Sequence, residues 1–154
     1  MEYLLLIKHI LCQRTIILDH FQWMLKMHLM LSEASIANGT PVYGQSAYRP
    51  YSMQEKLYKN AVSSMGQKQA DIDTARPGHS EHQTGFAMDL NIIDSSFEGT
   101  PEAIWIEKNC YKYGFIIRYP KGKEEITGYK FEPWHVRYLG KELAEKVYNT
   151  GKTL

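Results

Sequence analysis

Cysteine is nearly absent from this chain. Its only two, Cys12 and Cys110, lie far apart in 154 residues and form no C-x-x-C pair, so a disulfide-dense framework is excluded. An excess of either charge is missing as well. Eighteen basic and 17 acidic side chains leave a net charge of +1, which removes the broad positive field that nucleic-acid backbones require, and no nucleic-acid partner is expected. Long hydrophobic runs are also lacking. The apolar patch Tyr3-Leu4-Leu5-Leu6-Ile7 is interrupted by Lys8 and His9 before the core of a signal peptide or a membrane span is complete, so Met1 to Ile10 is expected to hold a first strand instead. There is no internal repeat, low-complexity tract or linker. What remains, 44% hydrophobic residues, suffices for one compact core, and residues 1–154 are expected to form a single domain and a monomer.

The apolar spacing predicts the elements. From Asp19 to Ile36, Phe21, Met24, Leu25, Leu29 and Ile36 recur at near-helical intervals, Met27 and Leu31 widen the apolar side, and Asn38-Gly39 supplies a stop. Pro41 to Gly44 reads as extended and leads into Ser46-Ala47-Tyr48-Arg49-Pro50, where the proline keeps Arg49 out of helical geometry. A second helix is expected from Ser52 to Gln69. Asp71 to Gly85 is polar, carries Pro77-Gly78, and reads as a long irregular loop, which in a small domain has a functional reason. Phe86 to Asn91 alternates as a strand does. Pro101 to Tyr113 reads as a third helix ended by Gly114. Phe115 to Tyr119 and Thr127 to Phe131 look like two antiparallel strands joined by a polar loop, and Lys141 to Tyr148 like a final helix.

Chemistry concentrates in two places. Across Ser80-Glu81-His82-Gln83-Thr84-Gly85-Phe86-Ala87-Met88-Asp89 an imidazole and a carboxylate, both zinc-ligand types, stand seven residues apart. An extended chain would separate them by roughly 23 Å, so the glycine bend must return His82 toward the strand of Asp89. On that strand Phe86, Met88 and Leu90 point toward a core, while Ala87, Asp89 and Asn91 point away. The second cluster is Glu132-Pro133-Trp134-His135, where Pro133 disfavours helix at Glu132 and rules out a helical H-E-x-x-H site. If His135 supplies a third ligand, two histidines and one aspartate leave a position open for water, as catalytic zinc requires, with Glu132 near enough to take its proton. Taken singly, each of these residues is more often a surface or capping group, by roughly five to one. Arg49 alone would be a surface cation, and His9, His20, His28 and His79 show no ligand spacing.

Taken together, the runs are specific. Ser46-Ala47-Tyr48-Arg49-Pro50, Pro77-Gly78-His79-Ser80-Glu81-His82-Gln83-Thr84-Gly85, Gly114-Phe115-Ile116-Ile117-Arg118-Tyr119-Pro120, Thr127-Gly128-Tyr129 and Glu132-Pro133-Trp134-His135-Val136-Arg137-Tyr138 occur in one order. In that order and wording the chain resembles the VanY-type D-alanyl-D-alanine carboxypeptidases. These belong to a wider group of zinc peptidases that includes the D-Ala-D-Ala dipeptidases and the zinc fold of hedgehog signalling domains. The resemblance spans roughly residues 40 to 140, with S-x-H-x-x-G-x-A-x-D and E-x-W-H as its core. Lys8 to Ile17 departs from it, being shorter and more irregular than the expected entry into the fold.

The resemblance implies an α+β fold, with a small antiparallel sheet carrying a zinc site and helices flanking it. It implies one zinc ion held by His82, Asp89 and His135, and Glu132 as general base and acid. Arg49 would stabilise charge developing on the scissile carbonyl, Ser80 would donate to the substrate's terminal carboxylate, and Gln54 would lie near the substrate. The expected partner is a peptidoglycan stem peptide ending in D-Ala-D-Ala, and the expected location is the cell envelope, where that substrate lies. An L,D-carboxypeptidase or a stem endopeptidase fits the same motifs, with stem-length preference set by pocket walls around Lys121 to Thr127. A non-catalytic zinc-bearing binding module is the rival from another class, and a fourth protein ligand such as Cys110 would favour it.

Overall fold

The computed structural model describes residue 22 and residues 24–154. The expected first strand and the start of the first helix lie outside the described residues. Helix α1 is described over residues 24–37. It buries Met24, Met27, Leu31 and Ser35, spaced three, four and four apart, so the apolar side faces one way as the periodicity requires. The choice of side departs from expectation. Leu25, Leu29 and Ile36 are exposed, because the helix carries two adjacent apolar stripes and only one can meet the sheet. Ser35 Oγ fixes the exit, donating to the Ser32 carbonyl and accepting from Val42 N at 2.9 Å.

Strand β1, Gly44–Ser46, precedes helix α2, Tyr51–Met65. The expected single helix to Gln69 is two. Gly66, at φ 79°, interrupts it in a backbone region that side chains avoid, and α3 runs over Gln67–Asp73. The irregular segment therefore begins only at Thr74. After a 3-10 turn over Glu81–Thr84 comes β2, Ala87–Leu90, then α4, Pro101–Asn109, capped by the Thr100 hydroxyl. Strand β3, Phe115–Ile117, one helical turn α5, Glu124–Thr127, strand β4, His135–Tyr138, and helix α6, Lys141–Thr150, complete the chain.

The four strands form one antiparallel sheet in the order β1-β2-β4-β3. The expected hairpin between Phe115–Tyr119 and Thr127–Phe131 does not form. Phe115 and Ile117 pair instead with Tyr138 and Val136 of β4, and residues 124–127 close as a helical turn ended by Gly128 at φ 77°. The longer-range pairing prevails because Val136 enters the core with Met24, Leu31, Met88, Leu90, Ile106 and Phe115, a burial that a local hairpin would forgo. This core fills one face of the sheet under α1 and α4. The result is the expected α+β architecture of a small antiparallel sheet flanked by helices. Among the described residues, no helix is long and apolar enough to cross a membrane.

A 3-10 turn, Cys110–Tyr113, follows α4, and Gly114 joins it to β3 at φ 85°; a Cβ there would lie 2.7 Å from a ring carbon of Tyr138 and about 3.1 Å from the backbone of Gly140. Gly128 shares the left-handed backbone but faces open space. Gly128→Ala should therefore cost about 1 kcal/mol of stability from backbone strain alone, and Gly114→Ala distinctly more. Equal losses in urea unfolding would contradict this packing.

Candidate metal centre and cleft

The site sits on the sheet face opposite the core. In the β2–β4 ladder Met88 pairs with Val136, both turned into the core, and Asp89 pairs with His135. Side chains alternate along a strand, so Asp89 and His135 emerge together on the other face. His82 reaches them from the 3-10 turn, which Gly85 closes in left-handed geometry at φ 76°. The segment after β1 clamps that turn: Arg49 N donates to the His82 carbonyl at 3.1 Å, and His82 Nδ1 lies 2.6 Å from the Ala47 carbonyl.

That contact decides the imidazole's orientation. Facing a carbonyl, Nδ1 must carry the proton, which leaves the Nε2 lone pair directed at Asp89 Oδ2, 3.1 Å away. His135 turns Nδ1 to Asp89 Oδ1 at 3.2 Å. One donor atom from each of the three residues lies within 4.8 Å of the others, and all three side chains are buried. Two imidazole nitrogens and a carboxylate oxygen, converging and open toward a cleft, are a donor set that fits a divalent cation such as zinc. His135 Nε2 is buried without a hydrogen-bond partner.

Glu132 stands next to this set. Its backbone N–H is taken by the Tyr119 carbonyl, and its Oε2 lies 3.7 Å from His135 Nδ1. Burial pushes its carboxyl up to about 7; the charge of His135 opposes the shift and that of Asp89 adds to it. Burial alone would also raise Asp89, but the adjoining His135 and His82 imidazoles hold it well below the usual carboxylate range. For His135, burial works downward and is outweighed by Asp89 and Glu81, which raise the imidazole to about 9.

Arg49 closes one side. Its Nη2 lies 3.5 Å from Asp89 Oδ2 and 3.3 Å from Ser46 Oγ, and its Nη1 donates to Gln54 Oε1 at 2.9 Å. Gln54 is almost completely buried, and its amide nitrogen donates to the Ala75 carbonyl at 2.6 Å. Both ends of that amide are engaged inside the protein. Ser80, also buried, lies in the cleft wall.

All seven residues singled out from the sequence, Arg49, Gln54, Ser80, His82, Asp89, Glu132 and His135, line a single cavity of about 230 Å3. Trp134, Tyr119 and Tyr129 line it too, and Lys130 paired with Asp73 at 3.2 Å stands at its wall. Lys121 to Thr127, expected as pocket wall, do not line it, because α5 folds that segment away. A larger and more apolar cavity of about 460 Å3, between α4 and α6, contains none of the seven. Cys110 lies there and in the core, its thiol pushed up to about 12 by burial, so it is no fourth ligand.

Sequence reasoning passed over Glu81, Arg118 and Arg137. Glu81 Oε1 accepts from Arg118 Nε at 2.7 Å and lies 3.3 Å from Arg137 Nη1, while its Oε2 faces His135 Nε2 at 3.6 Å. Burial alone would raise Glu81, yet the neighbouring His135 imidazole, the hydrogen bond from Arg118 and the charge of Arg137 hold it at about 2. The three residues appear in separate runs of the sequence, and no spacing within any run joins them.

Two imidazoles and an aspartate, gathered from a turn and two paired strands with a glutamate and an arginine beside them, are a side-chain set of the kind that metal-dependent hydrolases use. Residues 21–141 match the family model described as VanY: D-alanyl-D-alanine carboxypeptidase, and the chain belongs to this family. A D-alanyl-D-alanine carboxypeptidase of Enterococcus faecalis is 39% identical over 133 residues, covering 80% of this chain and 50% of the relative. The structure of the LdcB LD-carboxypeptidase superposes with a TM-score of 0.80 at 39% identity, covering 85% of this chain and 64% of that one. A mutant of a VanY D,D-pentapeptidase from a VanB-type resistance cassette, in complex with Zn(II), superposes with a TM-score of 0.76 at 34% identity, covering 84% and 78%. The chain spans about half the length, or less, of the curated relatives it matches.

The pKa directions give the metal-free protein a characteristic pH dependence. Glu132 rises from 4.5 to about 7 and His135 from 6.5 to about 9 on folding. A raised folded-state pKa stabilises fully below the unfolded value and loses that contribution as pH rises through the folded one. The urea midpoint of the metal-free chain should therefore fall between pH 4.5 and 9, and a midpoint that rises steadily over this range would contradict the assignment.

Proposed function

We propose that this chain is a zinc-dependent D-alanyl-D-alanine carboxypeptidase that removes the C-terminal D-alanine from peptidoglycan stem peptides in the cell envelope. One observation carries the reading: a convergent His-Asp-His donor set shares a cleft with a half-buried glutamate 3.7 Å from one of its imidazoles. The names of the relatives support the substrate class, among them a VanYB structure in complex with D-alanine-D-alanine, 34% identical to this chain.

In this reading His82 Nε2, Asp89 and His135 Nδ1 hold one zinc ion. Bound there, the metal supplies Lewis acidity to the scissile carbonyl and acidity to the attacking water. Glu132, poised near neutrality, takes the proton from that water and returns it to the leaving amine as the carbon–nitrogen bond breaks, releasing free D-alanine and a stem one residue shorter. Arg49 stabilises the negative charge that develops on the carbonyl oxygen. Gln54, with its carbonyl end on Arg49 and its amide on Ala75, acts through that arginine. Ser80 donates to the terminal carboxylate of the substrate.

The LdcB likeness favours a second reading, cleavage of the L,D bond in a tetrapeptide stem. Incubating zinc-loaded protein with pentapeptide and tetrapeptide stems and measuring free D-alanine separates the two. Release from the pentapeptide is expected, with Glu132→Gln lowering turnover by about 10²–10⁴-fold and Arg49→Ala by about 10²–10³-fold. Release from the tetrapeptide alone would move the assignment to the L,D bond, and release from neither, or undiminished release by Glu132→Gln, would overturn it.

A further inference from the structure

The two imidazoles of the donor set are oriented by different means. His82 gives its Nδ1–H to a backbone carbonyl, that of Ala47, at 2.6 Å. His135 is turned with Nε2 toward a carboxylate, Glu81 Oε2, at 3.6 Å, and both of these atoms are buried without a hydrogen-bond partner. The other oxygen of Glu81 is anchored by Arg118 at 2.7 Å and Arg137 at 3.3 Å. Arg118 is itself held in place: its backbone N–H donates to the His135 carbonyl at 3.1 Å, and its guanidinium lies 4.9 Å above the ring of Tyr119. The Tyr119 ring packs against the His135 ring at 5.0 Å.

If Glu81 served only as an ion-pair partner of Arg118, one oxygen would suffice. Its second oxygen would then be a buried acceptor left unsatisfied, which is costly and rare. A shift of a few tenths of an ångström in either side chain turns the 3.6 Å approach into a hydrogen bond and satisfies both orphaned atoms. The two arginines meanwhile balance the buried charge.

We propose that Glu81 is the positioning carboxylate of the metal centre: it accepts the Nε2–H of His135 and so fixes the tautomer whose Nδ1 lone pair faces Asp89 and the metal position. The proposal rests on the reading that His82, Asp89 and His135 bind zinc. Glu81 lines the cleft but is not one of the three donors. It acts through the imidazole, as carboxylate partners of ligating histidines do.

Zinc affinity of the full chain, measured by chelator competition, tests this apart from activity. Glu81→Ala should bind zinc about 10–100-fold more weakly, and Glu81→Gln, which keeps an acceptor oxygen, should lose less. Thr100→Ala, which removes the cap of α4 away from the site, should keep wild-type affinity. In nitrogen-resolved NMR of the zinc-loaded protein, the His135 Nε2–H resonance should persist in Glu81→Gln and disappear in Glu81→Ala. Should Glu81→Ala fail to fold, Glu81→Asp, whose shorter arm cannot reach the ring, replaces it with the same expected loss. Affinity within about twofold of wild type in these variants, or equal losses in Glu81→Ala and Thr100→Ala, overturns the positioning role. A wild-type chain that binds no zinc overturns the metal reading beneath it, and so the two failures are distinguishable.

Discussion

The antiparallel pairing of β2 with β4 sets Asp89 directly across from His135, and the rest of the site is arranged around that cross-strand pair. Its register is held from the other side of the sheet. Met88 and Val136, neighbours of Asp89 and His135 in the same ladder, are buried in the core. A slip of one residue would drive the aspartate or the histidine into that core and expose the apolar pair, which hydrophobic burial opposes. Precision at the polar face thus derives from packing on the apolar face.

The same strand pair gathers three carboxylates, and their partners give each a different character. Asp89 has Arg49 and two imidazoles around it, and Glu81 has two arginines. Glu132 has His135 at 3.7 Å and the charge of Lys130 nearby, and among the described residues no arginine is paired with it. Desolvation is the largest single influence on all three, but only at Glu132 is it not outweighed by the partners together, so Glu132 rises to about 7 while the other two are held low. Separation of titrating groups by environment is how acid–base roles become assigned within one cleft.

More distant elements act on this centre by placing single atoms. The break at Gly66 turns the chain so that the segment after α3 returns alongside α2, where the Ala75 carbonyl receives the Gln54 amide at 2.6 Å. Gln54 is thereby fixed to hold Arg49, and Arg49 to lie against Asp89. On the opposite side the end of β3 delivers Arg118 and Tyr119, which grip Glu81 and the ring of His135. Helices and strands that share no sequence neighbourhood meet in a cavity of about 230 Å3.

The sequence by itself determined the class of fold and singled out the residues of the candidate site. His82 and Asp89 across a glycine bend, Glu132 before a proline, and the alternation around Asp89 are local patterns, while Arg49, Ser80 and Gln54 came from the family resemblance, and all seven line one cavity. Long-range competition decided the rest. The partner of β3 was settled by Val136 entering the core, and the buried stripe of α1 by which of two apolar faces met the sheet. The contact of Glu81 with His135 joins two chain segments that are brought together only when β4 lies beside β2. Periodicity and spacing report the preferences of one segment at a time. Pairing of strands, the choice between equivalent faces and the hydrogen-bond partners of a buried imidazole depend on free-energy differences among whole arrangements of the chain, and these exist only in the folded structure.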